Sequence, residues 1–279
     1  MIEKLIDFAK NVGDVQLRMR KEKNLEISYK DTHLVSMVTK TDLRISKMFK
    51  DFVAAEFSDL DYFIVDEENF AAYGSDIFEK IENCEYLFVL DPLDGTLQYS
   101  QNIPLFGVSV GVFRNGRPYA GVIYAPALRE MVYTTENKSV YWFKDAFTSE
   151  EHKILLRPEY KTNSALIVDL QHHFSLDTSQ NTAGYLFVDY LCSVFSYILL
   201  ATGRVRSGMF KDWLWDMAGA WAVFAGLGYK IYEVKTHKYI EKLDMNDFTS
   251  QLKFKNAHVI GPQEEIEYLL KIIKEDLGK

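Results

Sequence analysis

LFVLDPLDGTLQYS, residues 87–100, joins an apolar run of strand-forming residues to two carboxylates, a proline, a glycine and a threonine within ten positions. The pattern reads as strand, tight turn and helix start. Pro92 has no N–H to give a sheet ladder and is expected to stop the strand, while Gly95 permits the backbone geometry of a sharp turn. Asp91 and Asp94 then stand at an open strand end and can converge on one point, with the carbonyl of Leu93 turned toward it. Hard cations such as Mg2+ take such oxygen ligands. The N–H groups of Gly95, Thr96 and Leu97, at the start of a helix, suit a phosphate oxyanion at the same point. Asp-Pro and Asp-Gly are also common turn dipeptides. Two carboxylates delivered by one buried strand nevertheless need a cation or hydrogen-bond donors to offset their repulsion.

Working outward, Tyr62–Val65 is a second apolar strand stopping at acids, Asp66-Glu67-Glu68. If the two strands lie side by side, Glu67 and Asp91 reach a common cation. Upstream, Leu5, Phe8, Ala9 and Val12 follow helical spacing, and the spacing predicts a first helix over residues 2–21. A second helix carries Ile45, Met48, Phe49, Phe52 and Val53, with Thr39 or Thr41 as its cap and Asp42 near its start, where a carboxylate is favoured by the helix dipole alone. The segment 69–85 reads as a connection. Runs at 106–113, 119–124, 131–134 and 140–143, punctuated by Asn115-Gly116 and Ala125-Pro126, predict antiparallel hairpins.

The irregular region 144–163 is the candidate division between halves 1–150 and 151–279 of a single catalytic unit. A strand is expected at 165–168, with His172 and His173 in an exposed loop because no partner stands at metal-ligand spacing. An apolar helical pattern follows over 185–203, with Gly203 as its C-cap. Asp216 precedes a helix rich in small residues, Ala218, Gly219, Ala220 and Ala222, which permit close approach to another backbone; capping and ligation are both open to it. Strands at 229–234 and 257–260 and a closing helix over 263–274 complete the pattern.

Composition narrows the function. Lys plus Arg number 32 against 40 for Asp plus Glu, a net charge of −8, which disfavours a nucleic-acid binder. No apolar stretch is long enough to span a bilayer, and the first residues read as an amphipathic helix and not a signal peptide, so a soluble cytoplasmic protein is expected. Cys84 and Cys192 are too few and too isolated for a disulfide framework.

With these stations in place, the chain resembles the inositol monophosphatase family of metal-dependent phosphatases. The resemblance is carried, in order, by Val38-Thr-Lys-Thr-Asp42, Asp66-Glu67-Glu68, Asp91-Pro-Leu-Asp94-Gly-Thr96 and Trp215-Asp216-Met-Ala-Gly219. It implies an α/β fold of layered helices and sheets, an αβαβα sandwich of the inositol monophosphatase and fructose-1,6-bisphosphatase type. By resemblance, Glu67, Asp91 and the Leu93 carbonyl hold one Mg2+, Asp91, Asp94 and Asp216 hold a second, and a third is implied beside Asp42 and Glu67, near the attacking water. Thr96, bonded toward Asp42, orients that water; Gly95, Thr96, Asp94 and Asp216 face substrate or phosphate, and Lys211 is added to them for its charge and not by resemblance. The implied substrate is a small phosphorylated metabolite, with inositol phosphate as the default; Li+ inhibition and a homodimer are implied too.

Departures from the family pattern gather on the substrate side: Lys138–Phe143 replaces a glycine-rich turn, Asp189-Tyr-Leu-Cys-Ser193 replaces a small-residue motif, and Phe210-Lys211-Asp212 stands where inositol-specific members place an acid. Arg204, Arg206 and Lys211 motivate a rival substrate with a second anion, a sugar bisphosphate or a 3'(2'),5'-bisphosphate nucleotide. Haloacid-dehalogenase-like phosphatases use a similar string, but their two aspartates are two apart; here they are three apart with a proline between. A relative that binds metal or phosphate without turnover is the non-enzymatic alternative, disfavoured by retention of Asp42, Glu67, Asp91, Asp94, Thr96 and Asp216.

Overall fold

The computed structural model describes residues 1–21, 28–29, 37–157, 165–168 and 175–274. In chain order the first elements are α1 (Ile2–Met19), the short strands β1 (Ser28–Tyr29) and β2 (Met37–Val38), then α2 (Lys40–Glu56) and β3 (Tyr62–Asp66). A 3-10 stretch (Phe70–Asp76) leads into α3 (Ile77–Asn83), followed by β4 (Tyr86–Asp94) and the five-residue α4 (Thr96–Ser100). Five strands follow: β5 (Gly107–Arg114), β6 (Arg117–Ala125), β7 (Glu130–Thr134), β8 (Val140–Lys144) and β9 (His152–Leu155). Next come β10 (Ala165–Val168), β11 (Ser175–Leu176), β12 (Leu186–Val188), α5 (Ser193–Ala201), β13 (Gly208–Phe210) and α6 (Leu214–Leu227). The last are β14 (Lys230–Glu233), β15 (Lys238–Tyr239), β16 (His258–Gly261), α7 (Gln263–Ile272) and β17 (Ile273–Lys274).

All nine residues of β4 are buried, which its unbroken apolar run requires. It pairs in parallel with β3, Asp66 standing opposite Leu90, and antiparallel with β5. These strands open a seven-stranded sheet in the order β3-β4-β5-β6-β7-β8-β9. The hairpin at Asn115-Gly116 turns with both residues at positive φ, 49° and 73°, the geometry that Asn-Gly adopts readily.

The apolar stripe of α1 and that of α2 cover one face of this sheet, packing Phe8, Ile45 and Phe49 against Phe88, Leu90 and Val110. Helices α5 and α6 cover the other face and separate it from a six-stranded sheet of order β12-β10-β13-β16-β14-β15. On the far side of that second sheet α7 packs Ile266 and Leu269 against Leu166 and Val259. Read across, the layers are helix, sheet, helix, sheet, helix: the αβαβα sandwich.

Several sequence expectations are corrected. The connection at 69–85 contains α3, whose Ile77 and Ile81 reach the core on a single turn, too short for a periodic signal. The region 144–163 is not irregular throughout: β9 adds a seventh strand at the sheet edge, and its residues are all exposed, which removes the alternation that marks a strand. The helix expected over 185–203 starts only at Ser193, because 186–188 pair with β10. Gly203 does stand just past the end of α5 at φ 69°. His172 and His173 lie outside the described residues, as do 158–163. No helix among the described residues is long and apolar enough to cross a membrane.

Candidate active site

The end of β4 is more ordered than a simple stop. Pairing with β5 resumes at Asp94, opposite Gly107, after a register shift between Asp91 and Asp94, so Pro92 interrupts the ladder without ending the strand. A bulge is where a strand tolerates a residue with no N–H. The side-chain amide of Gln16, buried on α1, donates to the carbonyls of Pro92 and Gly107, both at 2.9 Å, and so satisfies acceptors that the irregular ladder leaves open. The Leu93 N–H donates to Asp91 Oδ1 at 3.0 Å. Gly95 takes φ 79°, and a Cβ there would meet the Leu105 carbonyl at 2.6 Å, so only glycine serves. The hydroxyl of Thr96 donates to the Leu93 carbonyl at 2.9 Å; its expected bond toward Asp42 is not made.

Three of the acids share one device. Asp42 uses Oδ2 to accept from the Thr39 N–H at 2.8 Å and the Thr39 hydroxyl at 2.6 Å at the head of α2. Asp94 uses Oδ2 to accept from the Val194 N–H at 2.6 Å and the Cys192 thiol at 2.9 Å at the head of α5. Asp216 uses Oδ2 to accept from the Trp213 N–H at 3.0 Å at the head of α6. Each carboxylate is thus fixed to the positive end of a helix by one oxygen, leaving the other to face elsewhere. Capping and ligation, alternatives in the sequence, are compatible for one side chain.

Two of these acids, Asp94 and Asp216, also meet Asp91. Asp91, Asp94 and Asp216 each place an oxygen within 4.8 Å of the others. Side-by-side pairing of β3 and β4 brings Glu67 next to this group: its charge is among the influences that raise the pKa of Asp42, Asp91, Asp94 and Asp216. Burial is the largest cause for all four. Asp42 is pushed up to about 8 by burial and then by Glu67. Asp91 rises well above the usual carboxylate range from burial, Glu67, Asp94 and Asp216; Asp216 does so from burial, Asp212 and Asp94. Asp94 also rises from burial, against the opposing bonds from Cys192 and Val194.

Oδ1 of Asp42 is buried with no hydrogen-bond partner. A hard divalent cation offers what this set lacks, positive charge for crowded oxygens, and the donors are of the type it prefers. The residues present therefore fit such an ion. Asp66, by contrast, is fully buried and held by Ser46 Oγ at 2.8 Å, Asn69 and the Glu68 N–H, where it ties β3 to α2.

Two rival cations are committed elsewhere. Arg204 pairs with Glu130 and lies over the Trp142 ring, and Arg206 pairs with Glu265 over Tyr185. Lys211 is half-buried between β13 and α6. Beside it Asp212 is buried, accepts from the Tyr197 hydroxyl and adds its charge to Asp216. Gln16, Cys192, Val194 and the Tyr197–Asp212 pair escaped the sequence reading. The available signals were weak: a glutamine inside an apolar helix stripe, and a cysteine just ahead of an apolar helix.

Residues 1–274 match the inositol monophosphatase family. A fructose-1,6-bisphosphatase/inositol-1-monophosphatase of Thermotoga maritima is 24% identical over 252 residues, 89% of this chain and 88% of that protein. An inositol-1-monophosphatase of Mesorhizobium japonicum is 35% identical over 131 residues, and the match spans 46% of this chain and 41% of that protein. The 3'(2'),5'-bisphosphate nucleotidase CysQ of Salmonella typhimurium is 27% identical over 140 residues, 50% of this chain and 53% of that protein.

Among solved structures, an IMPase/NADP phosphatase complexed with Mg2+ and phosphate superposes with TM-score 0.73 at 18% identity, covering 99% of this chain and 96% of that one. The extragenic suppressor protein suhB of Bartonella henselae superposes with TM-score 0.71 at 18% identity, covering 99% and 98%. With the match running from the first helix to the last strand and through all four acidic stations, the chain belongs to the inositol monophosphatase family.

Proposed function

We propose that this chain hydrolyses a small soluble phosphomonoester of the inositol monophosphate type, with Mg2+ as cofactor. The observation that carries the reading is the convergence of Asp91, Asp94 and Asp216, each with an oxygen within 4.8 Å of the others, two of these carboxylates being also hydrogen-bonded to a helix head. Asp91, Asp94, Asp216, Glu67 and the Leu93 carbonyl would hold the two or three ions. Bound there, Mg2+ would lower the pKa of water and stabilise charge on the phosphoryl oxygens.

The chain's own groups divide the remaining work. Thr96 donates to Leu93 and keeps its lone pairs to accept a hydrogen bond from water, which orients the nucleophile. Asp42 Oδ1, buried without a hydrogen-bond partner, is proposed to accept a proton from the attacking water. The N–H groups of Gly95 and Thr96 face the phosphate, since the first turn of α4 leaves them without intrahelical acceptors. Lys211 is proposed on the substrate side. A single-phosphate substrate is favoured over a bisphosphate because Arg204 and Arg206 already have carboxylate partners. A homodimer and inhibition by Li+ belong to the same proposal and rest on family membership, and a cytoplasmic location is proposed from the two isolated cysteines.

Phosphate release from a panel of inositol, sugar and nucleotide mono- and bisphosphates, with Mg2+ and with chelator, tests it. The expected result is Mg2+-dependent turnover with kcat/KM highest for a monophosphate. No release from any member of the panel would overturn catalysis, and a preference for bisphosphates that Lys211→Ala removes would overturn the substrate class.

A further inference from the structure

A second hollow lies at the opposite end of α6 from Asp216, about 18 Å along the helix at 1.5 Å per residue. It is a cavity of about 250 Å³ between β6, the β7–β8 turn, α6 and the β14–β15 hairpin. Arg117, Lys138 and Lys230 line it, with Glu241 as its one acid. None of the three cations has an ion pair among the described residues, although Lys4, Arg114, Arg204 and Arg206 are each paired with a glutamate.

The charge does not balance. α6 ends here on Gly228 in the left-handed region, with no basic residue in its last turn, and its C-terminus presents roughly half a negative charge. Three positive charges, less one for Glu241 and about half for the helix end, leave about one and a half unmatched. This occurs in a chain of net charge −8, where uncommitted cations would find carboxylates easily.

The floor adds a polar handle. Trp221 lines the cavity and is only 2% exposed, and its indole N–H has no hydrogen-bond partner among the described residues. Tyrosine 239 stands at the rim, 45% exposed. An anionic oxygen entering the hollow would offer this donor an acceptor. We infer that this cavity is a second binding site for a small polyanion of the phosphate-ester or pyrophosphate class, distinct from the acidic cluster. Its volume suits one or two phosphoryl groups on a small carbon frame and falls below the range of large cofactor pockets.

Pyrophosphate is the probe. Calorimetry in chelator, where the acidic cluster repels anions, is expected to show one equivalent bound with a Kd of about 1 mM or tighter in 0.15 M NaCl. The Arg117→Ala/Lys230→Ala double variant, altered only at exposed positions, is expected to bind at least tenfold more weakly, and Asp91→Asn to bind as the parent does. Pyrophosphate is also expected to change tryptophan emission in the parent and not in Trp221→Phe. Absence of heat up to about 10 mM, binding lost in 0.15 M NaCl, equal affinity in the double variant, or loss in Asp91→Asn would each overturn the site.

Discussion

Asp91 is buried and feels the charges of Glu67, Asp94 and Asp216. Asparagine has the same shape and can still accept the Leu93 N–H, so Asp91→Asn removes charge and little else. Turnover is expected to fall by a factor of about 10³ or more, with the circular dichroism spectrum unchanged. Full activity in this variant would remove the basis of the metal assignment. At Thr96, replacement by valine deletes both the bond to Leu93 and the lone pairs offered to water, while serine keeps them. Thr96→Val is expected to lower kcat about 10²-fold and Thr96→Ser to restore most of it; equal losses in both would assign the threonine to packing alone. Glu67, Asp91 and Asp94 were legible in the sequence because they follow apolar strands, and Asp216 because it is a lone charge within an apolar run. Their partners were not: Gln16 reaches Pro92 across 76 positions and Cys192 reaches Asp94 across 98, and no local pattern marks such a pair.

At the scale of elements, the site depends on how closely α6 approaches the large sheet. A Cβ on Gly219 would meet the Val122 carbonyl at 2.7 Å, Ser109 Oγ at 2.8 Å and Val110 N at 3.0 Å. Two of those contacts are backbone and cannot swing aside. Ser109 moreover bridges helix and sheet, accepting from the Gly219 N–H at 3.1 Å and donating to the Asp216 carbonyl at 3.2 Å. Gly219→Ala is therefore expected to push α6 outward, to reduce stability in urea by roughly 1–3 kcal/mol, and to raise the Mg2+ concentration needed for half-maximal activity. An unchanged Mg2+ curve in a destabilised variant would uncouple the packing from the cluster. The small-residue run announced this closeness in the sequence. The sequence could not announce that α5, too, carries a site residue's anchor, because its apolar pattern runs back through β12 with Asp189 as the one charge between them. The hairpins at 107–144 were readable for the converse reason, that Asn115-Gly116 and Ala125-Pro126 punctuate them.

For the whole molecule, the cluster links folding to pH and to metal. Asp42 has a folded pKa near 8, against about 4 for an unfolded carboxyl, so in the absence of metal the folded state holds a proton that the unfolded chain releases. Stability is then greatest below about pH 4 as far as this group is concerned. It declines as pH rises toward 8, by at most about 1.4 kcal/mol per pH unit, and levels off above. Asp91, Asp94 and Asp216 are shifted in the same direction and add to the slope. A divalent cation reverses the sign, since it binds the ionised oxygens and stabilises the folded state by mass action, more so as protons leave. In chelator, Tm is expected to fall between about pH 5.5 and about pH 8, and millimolar Mg2+ to shrink or invert that fall. Asp42→Asn keeps an oxygen for Thr39 and cannot ionise, so it is expected to have a shallower decline than the parent in chelator. Comparing the two proteins cancels the titration of groups remote from Asp42. Identical slopes for parent and variant, or an Mg2+ effect of the same size at both ends of the pH range, would show that these acids are satisfied without a cation and would remove the electrostatic ground for placing one among them.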